Sequence, residues 1–83
     1  MITKDTTLEE LVTMVEKELV NVESGEEFTI RELFKGYEWN RLKPSLRTKL
    51  GSMIFAKFNN GDLSDIIEPV RKTPQHQQVY VKK

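Results

Sequence analysis

Three helix-start signals divide the first part of this 83-residue chain and restrict the folds open to it. Thr7 and Thr29 are each followed by a glutamate three residues later, and such a pair forms a capping box that satisfies free backbone N–H groups. Pro44 suits the first position of a third helix, because its missing N–H would have no partner there. The sequence therefore predicts three separate helices before Gly61.

The apolar residues after each start signal indicate how far each helix extends. They recur with helical spacing from Leu8 to Leu19, so the first helix should end near Asn21. The second helix is short, and Gly36 is placed to close it in the left-handed conformation. The third should run from Pro44 to about Phe58, where the Asn59-Asn60-Gly61 segment ends it.

A β-hairpin is predicted for the last part of the chain. Residues 63–70 and 78–82 have the composition of strands and are separated by a polar turn that contains Pro74. Pro69 has no N–H to donate, which indicates an edge strand. We expect the hairpin to be antiparallel and to pair with a short extended segment at Phe28.

The length predicts a single α+β domain with a small hydrophobic core, since a chain of this size buries only about 60–65% of its surface. We expect residues 1–6 to form a flexible lead-in. We expect Tyr37, Trp39 and Leu42 to dock onto the core from the connection before the third helix. The predicted core consists of Leu11, Val15, Leu33, Phe34, Leu46, Leu50, Ile54, Ile66 and Val79.

The order of elements is helix, short strand, two helices and a C-terminal hairpin, which is the order of a winged helix-turn-helix domain. In such domains the second helix of the motif enters the major groove of DNA. That helix would be the one at 44–58, and the hairpin at 71–83 would be the wing. Other small α+β domains share this order, so the pattern is only moderately specific.

Residues 28–60 also resemble a family of short proteins with a domain of unknown function, common in Gram-positive bacteria and their mobile elements. The shared pattern is an aromatic residue, an Arg-Glu-Leu-Phe block at 31–34, a tryptophan at 39 and an Arg-x-x-Leu-Gly block at 47–51. The resemblance implies a fold rather than an activity. It does not extend to the first helix or the hairpin.

Composition and motifs argue against several classes of function. The chain has no cysteine, which excludes thiolate metal sites and cysteine nucleophiles and fits a reducing cytosol. No long apolar run predicts a membrane span, and the first residues do not resemble a signal peptide. No nucleophile motif or phosphate-binding loop is present, and His76 is the only histidine. We therefore predict a non-enzyme without metal or cofactor.

The net charge is zero, but the charges are divided between the two halves of the chain. Residues 1–38 carry four basic and ten acidic side chains, whereas residues 39–83 carry nine basic and three acidic ones. Such asymmetry is typical of a basic half that meets a polyanion. The alternative is that the two halves simply attract each other within one domain.

These observations favour a DNA-binding module, and a small regulator is the corresponding role. Basic and hydroxyl side chains early in the third helix reach phosphates and base edges, and basic side chains on a wing reach the backbone or minor groove. The predicted DNA-binding residues are Lys43, Ser45, Arg47, Thr48, Lys49, Ser52, Arg71, Lys72, His76 and Lys82.

Two other interpretations stay open. The first is a protein-interaction module, such as a phage- or plasmid-type modulator of a host protein, with Phe55 either packed under the wing or exposed as an anchor. The second is a homodimer through the 7–20 helix. Gly51 lies inside the third helix, where it costs about 1 kcal/mol relative to alanine, which indicates a close helix crossing or a close partner.

Overall fold

A computed structural model describes residues 2–83, and within them the chain forms three α-helices and one three-stranded antiparallel sheet. This confirms the predicted α+β class. None of the helices in this part of the chain is long and apolar enough to cross a membrane. The helices are α1 (Leu8–Glu18), α2 (Gly36–Trp39) and α3 (Pro44–Asn59), and the strands are β1 (Glu27–Thr29), β2 (Ile67–Lys72) and β3 (Gln78–Lys82).

Helix α1 begins after Thr7 as predicted, but Glu10 bonds to the hydroxyl of Thr7 and not to its backbone N–H, so only half of the capping box forms. The backbone N–H of Glu10 donates to Oγ1 of Thr7 over 3.2 Å, and the Thr7 hydroxyl donates to Oε1 of Glu10 over 3.1 Å. A 3-10 turn at Leu19–Asn21 continues the helix to the predicted end. The apolar stripe of α1, centred on Leu11 and Val15, is fully buried within the same chain, and the homodimer through this helix stays a prediction.

The capping box at Thr29 is complete, but it starts a 3-10 turn rather than an α-helix. The backbone N–H of Thr29 donates to Oε1 of Glu32 over 2.8 Å, and the turn covers only Ile30–Leu33. Phe34 is extended and packs against Trp39, with ring centroids 5.4 Å apart. The prediction that Gly36 closes this helix in the left-handed conformation is wrong, because Gly36 instead begins α2.

Helix α3 follows its signals at both ends. Pro44 occupies the first turn after an extended Lys43, and the helix ends at Asn59 with Asn60 as its C-cap. Gly61 then adopts a φ of +91°, the left-handed conformation that glycine enters without steric cost. The helix is thus sixteen residues long and presents one face to the core and another to solvent.

Strand β3 lies at the centre of the sheet, in the order β1-β3-β2. The antiparallel hairpin and its pairing with Phe28 are confirmed, and Phe28 lies opposite Tyr80 with the two rings stacked. Pro69 lies on the edge strand β2, next to a bulge at which the register shifts. The pairing of β1 with β3 thus brings the segment after α1 next to the last strand.

The core contains most of the residues predicted for it. Buried apolar side chains from all three helices and all three strands meet between α1, α3 and the sheet, and Leu33, Phe34 and Leu46 pack against them at partial exposure. The fully buried side chains of this core are Ile2, Leu11, Val15, Leu50, Ile54, Ile67 and Tyr80. Trp39 and Leu42 are buried as expected.

Three apolar residues depart from the prediction. Ile66 is 37% exposed, because a turn closed on the carbonyl of Leu63 delays the start of β2 to Ile67. Ile67 then takes the buried position, since neighbouring strand residues point to opposite faces. Tyr37 is 57% exposed, although we expected it to dock onto the core. Met53 lies three residues after Leu50, a spacing that predicts the core face of α3, but it is 39% exposed.

Ile2 and Thr6 are buried and residues 3–5 are exposed, while Met1 lies outside the described part of the chain. Ile2 is 1% exposed and belongs to the core. Its N–H donates to Oε1 of Glu38 over 2.8 Å, and its carbonyl accepts from Nη1 of Arg41 over 2.6 Å. These contacts tie the lead-in, which we expected to be flexible, to the segment that includes α2.

Candidate functional site

A groove of about 880 Å³ lies between the exposed face of α3 and the loop that joins β2 to β3. The loop covers residues 73–77, and the end of β1 with the turn that follows it closes the remaining side. We call this feature the α3 groove. It is the place where the fold brings the third helix and the hairpin together.

The floor of the α3 groove is a stripe of side chains along α3. Thr48, Ser52, Phe55 and Asn59 are spaced four, three and four residues apart, which places them on one face of a helix. All four are exposed, while Leu50 and Ile54 point the other way into the core. The phenyl ring of Phe55 contacts that of Phe58 but remains 38% exposed, so Phe55 is not covered by the hairpin.

The charge on the α3 groove has one sign. Arg31, Arg47 and Lys72 line it together with His76, and none of the described residues that line it is acidic. Helix α3 itself contains no aspartate or glutamate. Because cationic side chains converge on a concave surface, the positive potential is concentrated there, although the chain is neutral overall.

Arg47 is held in place by α2. Its guanidinium carbon lies 5.9 Å from the centre of the Trp39 ring, close enough for a cation–π contact. Nη2 makes a long hydrogen bond of 3.5 Å to the carbonyl of Asn40, and Nε is buried with no protein partner among residues 2–83. The guanidinium therefore has a fixed position at one end of the α3 groove.

Tyr80 also lines the α3 groove and is almost completely buried. Its side chain is 1% exposed, and burial raises the pKa of Tyr80 to about 12. The hydroxyl therefore stays protonated at neutral pH. Within residues 2–83, no three histidine or carboxylate side chains lie together in a group that could hold a metal ion.

The structure brings five of the ten predicted DNA-binding residues to the α3 groove: Arg47, Thr48, Ser52, Lys72 and His76. Three others are exposed on the first half of α3 or at its N-cap but do not line the groove: Lys43, Ser45 and Lys49. Their contacts to DNA stay predictions. The hydroxyl of Thr48 also donates to the carbonyl of Pro44 over 3.1 Å.

The last two predicted residues lie away from the α3 groove. Nζ of Lys82 donates to the carbonyls of Leu19 and Val22, the latter over 3.0 Å, because the end of β3 lies beside the end of α1, where helix carbonyls lack partners. Arg71 forms an ion pair of 2.6 Å with Glu27 across the sheet. It is the single ion pair between residues 2 and 83, and a surface pair contributes only about 0–1 kcal/mol.

Sequence reasoning missed Arg31 as a member of the site. Arg31 lies in the acidic half of the chain, whereas the basic residues predicted to bind DNA all lie after residue 38. Its position follows from two features that were recognised, namely the capping box at Thr29 and the pairing of Phe28 with the hairpin. Together they place the turn at 30–33 next to the β2–β3 loop.

The fold and the groove define a small α+β domain with a cationic surface between a helix and a hairpin. The chain belongs to the family described as Domain of unknown function (DUF1413), which matches residues 13–82. This range includes most of α1 and the whole hairpin, so it extends beyond the segment on which the sequence resemblance rests. No curated protein and no solved structure matches the chain.

Proposed function

We propose that this protein is a non-catalytic DNA-binding module of the winged helix-turn-helix type. In this proposal α3 is the recognition helix and the β2–β3 loop is the wing. The observation that carries it is the charge of the α3 groove, where Arg31, Arg47 and Lys72 converge without an opposing carboxylate. A polyanion would neutralise this charge, and each phosphate contact would release counterions.

The shape of α3 supports the same conclusion. A helix that enters the major groove needs short side chains where the backbones approach each other, and Thr48, Gly51 and Ser52 provide them. A Cβ atom built at Gly51 would meet nothing within 4 Å. The close helix crossing that we predicted at Gly51 is therefore absent within residues 2–83, and the open space there supports the other prediction, the close approach of a partner.

A Gly51→Ala substitution should change the stability of the protein and its affinity for DNA in opposite directions. We expect it to raise the free energy of unfolding by up to about 1 kcal/mol, because alanine is the better helix former and its methyl group has open space. We also expect DNA affinity to fall several-fold, since that methyl would lie between α3 and the bound DNA. Urea denaturation and fluorescence anisotropy with a labelled duplex measure the two effects.

An Ala56→Gly substitution is the matched comparison, since residue 56 also lies on α3 and lines the α3 groove. It should lower stability by about 1 kcal/mol without opening a contact that DNA needs. If Gly51→Ala stabilised the protein and left DNA affinity unchanged, the proposal that DNA approaches Gly51 closely would be wrong.

The second candidate function is recognition of a protein partner, favoured by Phe55. An aromatic ring that is 38% exposed on the floor of a groove is typical of an anchor point for another protein. The two candidates predict different salt dependence. Binding to DNA through Arg31 and Lys72 weakens steeply with salt, whereas a partner held mainly by Phe55 would be bound with little dependence on salt.

A further inference from the structure

Carboxamide side chains make up much of the polar lining of the α3 groove: Asn40, Asn59, Gln75, Gln77 and Gln78. The amide of Gln78 already donates to the carbonyls of Arg71 and Val79. The side-chain amides of Asn59, Gln75 and Gln77 form no hydrogen bond within residues 2–83. A carboxamide presents a donor and an acceptor side by side, which matches the N6 and N7 edge of adenine in the major groove.

The apolar part of the same surface is Phe55. It lies one helical turn before Asn59 on the exposed stripe of α3, so the two side chains are neighbours. In the major groove the thymine methyl is the apolar group that distinguishes one base pair from another. An exposed phenyl ring next to a carboxamide is therefore complementary to thymine and adenine together.

Guanine is read by arginine or lysine, and α3 brings only one such side chain, Arg47, to the α3 groove. Arginine reads guanine by donating two hydrogen bonds to O6 and N7. Arg47 is the one arginine of α3, and its guanidinium is packed on Trp39 with Nη2 directed to the carbonyl of Asn40. Lys49 and Lys57 on the same helix do not line the α3 groove.

We propose that the α3 groove recognises A·T base pairs from the major-groove side, with Phe55 against the thymine methyl and Asn59 bonded to adenine. This assignment rests on the DNA binding proposed above and adds a base preference to it. Arg31 and Lys72 on the exposed rim then bind phosphates and carry no sequence information.

Four alternating duplexes test the proposal at one salt concentration: dA-dT, dA-dU, dG-dC and dI-dC. The dA-dU duplex lacks only the thymine methyl. The dI-dC duplex keeps the O6 and N7 acceptors of guanine in the major groove but lacks its minor-groove amino group. We expect dA-dT to bind tightest, dA-dU about fourfold more weakly, and both dG-dC and dI-dC at least about tenfold more weakly.

Two substitutions test whether Phe55 and Asn59 cause the preference for A·T base pairs. Phe55→Ala should weaken binding to dA-dT and leave dA-dU unchanged, so that the two duplexes become equal. Asn59→Ala should weaken binding to both adenine-containing duplexes by about tenfold. Met53→Ala is the matched control, because Met53 is equally exposed on α3 but does not line the α3 groove, and it should change none of the four affinities.

Several results would overturn the proposal. Equal affinity for all four duplexes would show a surface without base preference, although DNA binding would stand. A dI-dC affinity equal to that of dA-dT would place the preference in the minor groove and away from Phe55. A methyl effect that persists in Phe55→Ala would exclude this ring as its source. No binding to any duplex at low salt would overturn DNA binding itself.

Discussion

The double substitution Arg31→Ala and Lys72→Ala is expected to weaken duplex DNA binding roughly 50-fold at about 0.1 M salt. The two side chains are exposed and line the α3 groove from different elements, and the proposal assigns one phosphate contact to each. Removal of both contacts should also reduce the slope of log affinity against log salt by about 2. Fluorescence anisotropy over a salt series measures both quantities.

The control is the double variant Lys4→Ala and Lys17→Ala. It removes the same charge from exposed residues that do not line the α3 groove, and it should leave the salt slope unchanged. If the two double variants lost affinity equally, binding would depend on net charge alone and the α3 groove would not be the site. Circular dichroism should show that both variants keep the fold.

The substitution Leu50→Ala is expected to destabilise the domain by about 2–5 kcal/mol. Leu50 is completely buried on the core face of α3, and its truncation removes apolar contacts and leaves a cavity in the core. A domain of 83 residues has a stability of only about 4–12 kcal/mol, so much of its folding free energy would be lost. Urea denaturation measures the change.

Met53→Ala is the comparison within the same helix. Helical spacing alone assigns Met53 to the core face, but the structure leaves it 39% exposed. Its substitution should cost less than about 1 kcal/mol. A loss for Met53→Ala as large as that for Leu50→Ala would mean that α3 is rotated from the orientation described, and the exposed stripe of the α3 groove would then be wrong as well.

Local signals located the helices because each one is satisfied by its own neighbours. The glutamates at positions 10 and 32 bond to the threonines three residues before them, and Pro44 and Gly61 fix backbone angles by their own chemistry. Pro69 indicated an edge strand for the same kind of reason. Such features do not depend on the rest of the fold and could be predicted from the sequence.

The errors came from contacts between distant parts of the chain. Phe34 leaves the helical conformation to pack on Trp39, which moves Gly36 into the next helix. The contacts of Ile2 with Glu38 and Arg41 also join residues far apart in sequence, and the flexibility of residues 1–6 stays a prediction. A one-residue difference at the start of β2 exchanged Ile66 for Ile67 in the core. None of these contacts can be predicted from the pattern of residues within a single segment.

Local patterns also predicted one part of the candidate site, while the other part depends on contacts between distant residues. Helical spacing predicted the exposed stripe with Thr48 and Ser52, and the loop with Lys72 and His76 followed from the hairpin. Lys82 lies away from the α3 groove because its Nζ bonds to carbonyls at the end of α1, which only the packed structure brings near it, and its contact with DNA stays a prediction. Arg31 was missed because it reaches the α3 groove through the pairing of β1 with β3.

The most direct test of the central claim is a fluorescence-anisotropy titration of the unmodified protein against a mixed-sequence duplex at two salt concentrations. Contacts from Arg31, Arg47 and Lys72 predict an affinity that falls roughly 40-fold between 50 and 200 mM salt. Single-stranded DNA of the same sequence should show a shallower slope. Absence of binding to the duplex at 50 mM salt would contradict the account, since the positive α3 groove would then not serve a nucleic acid.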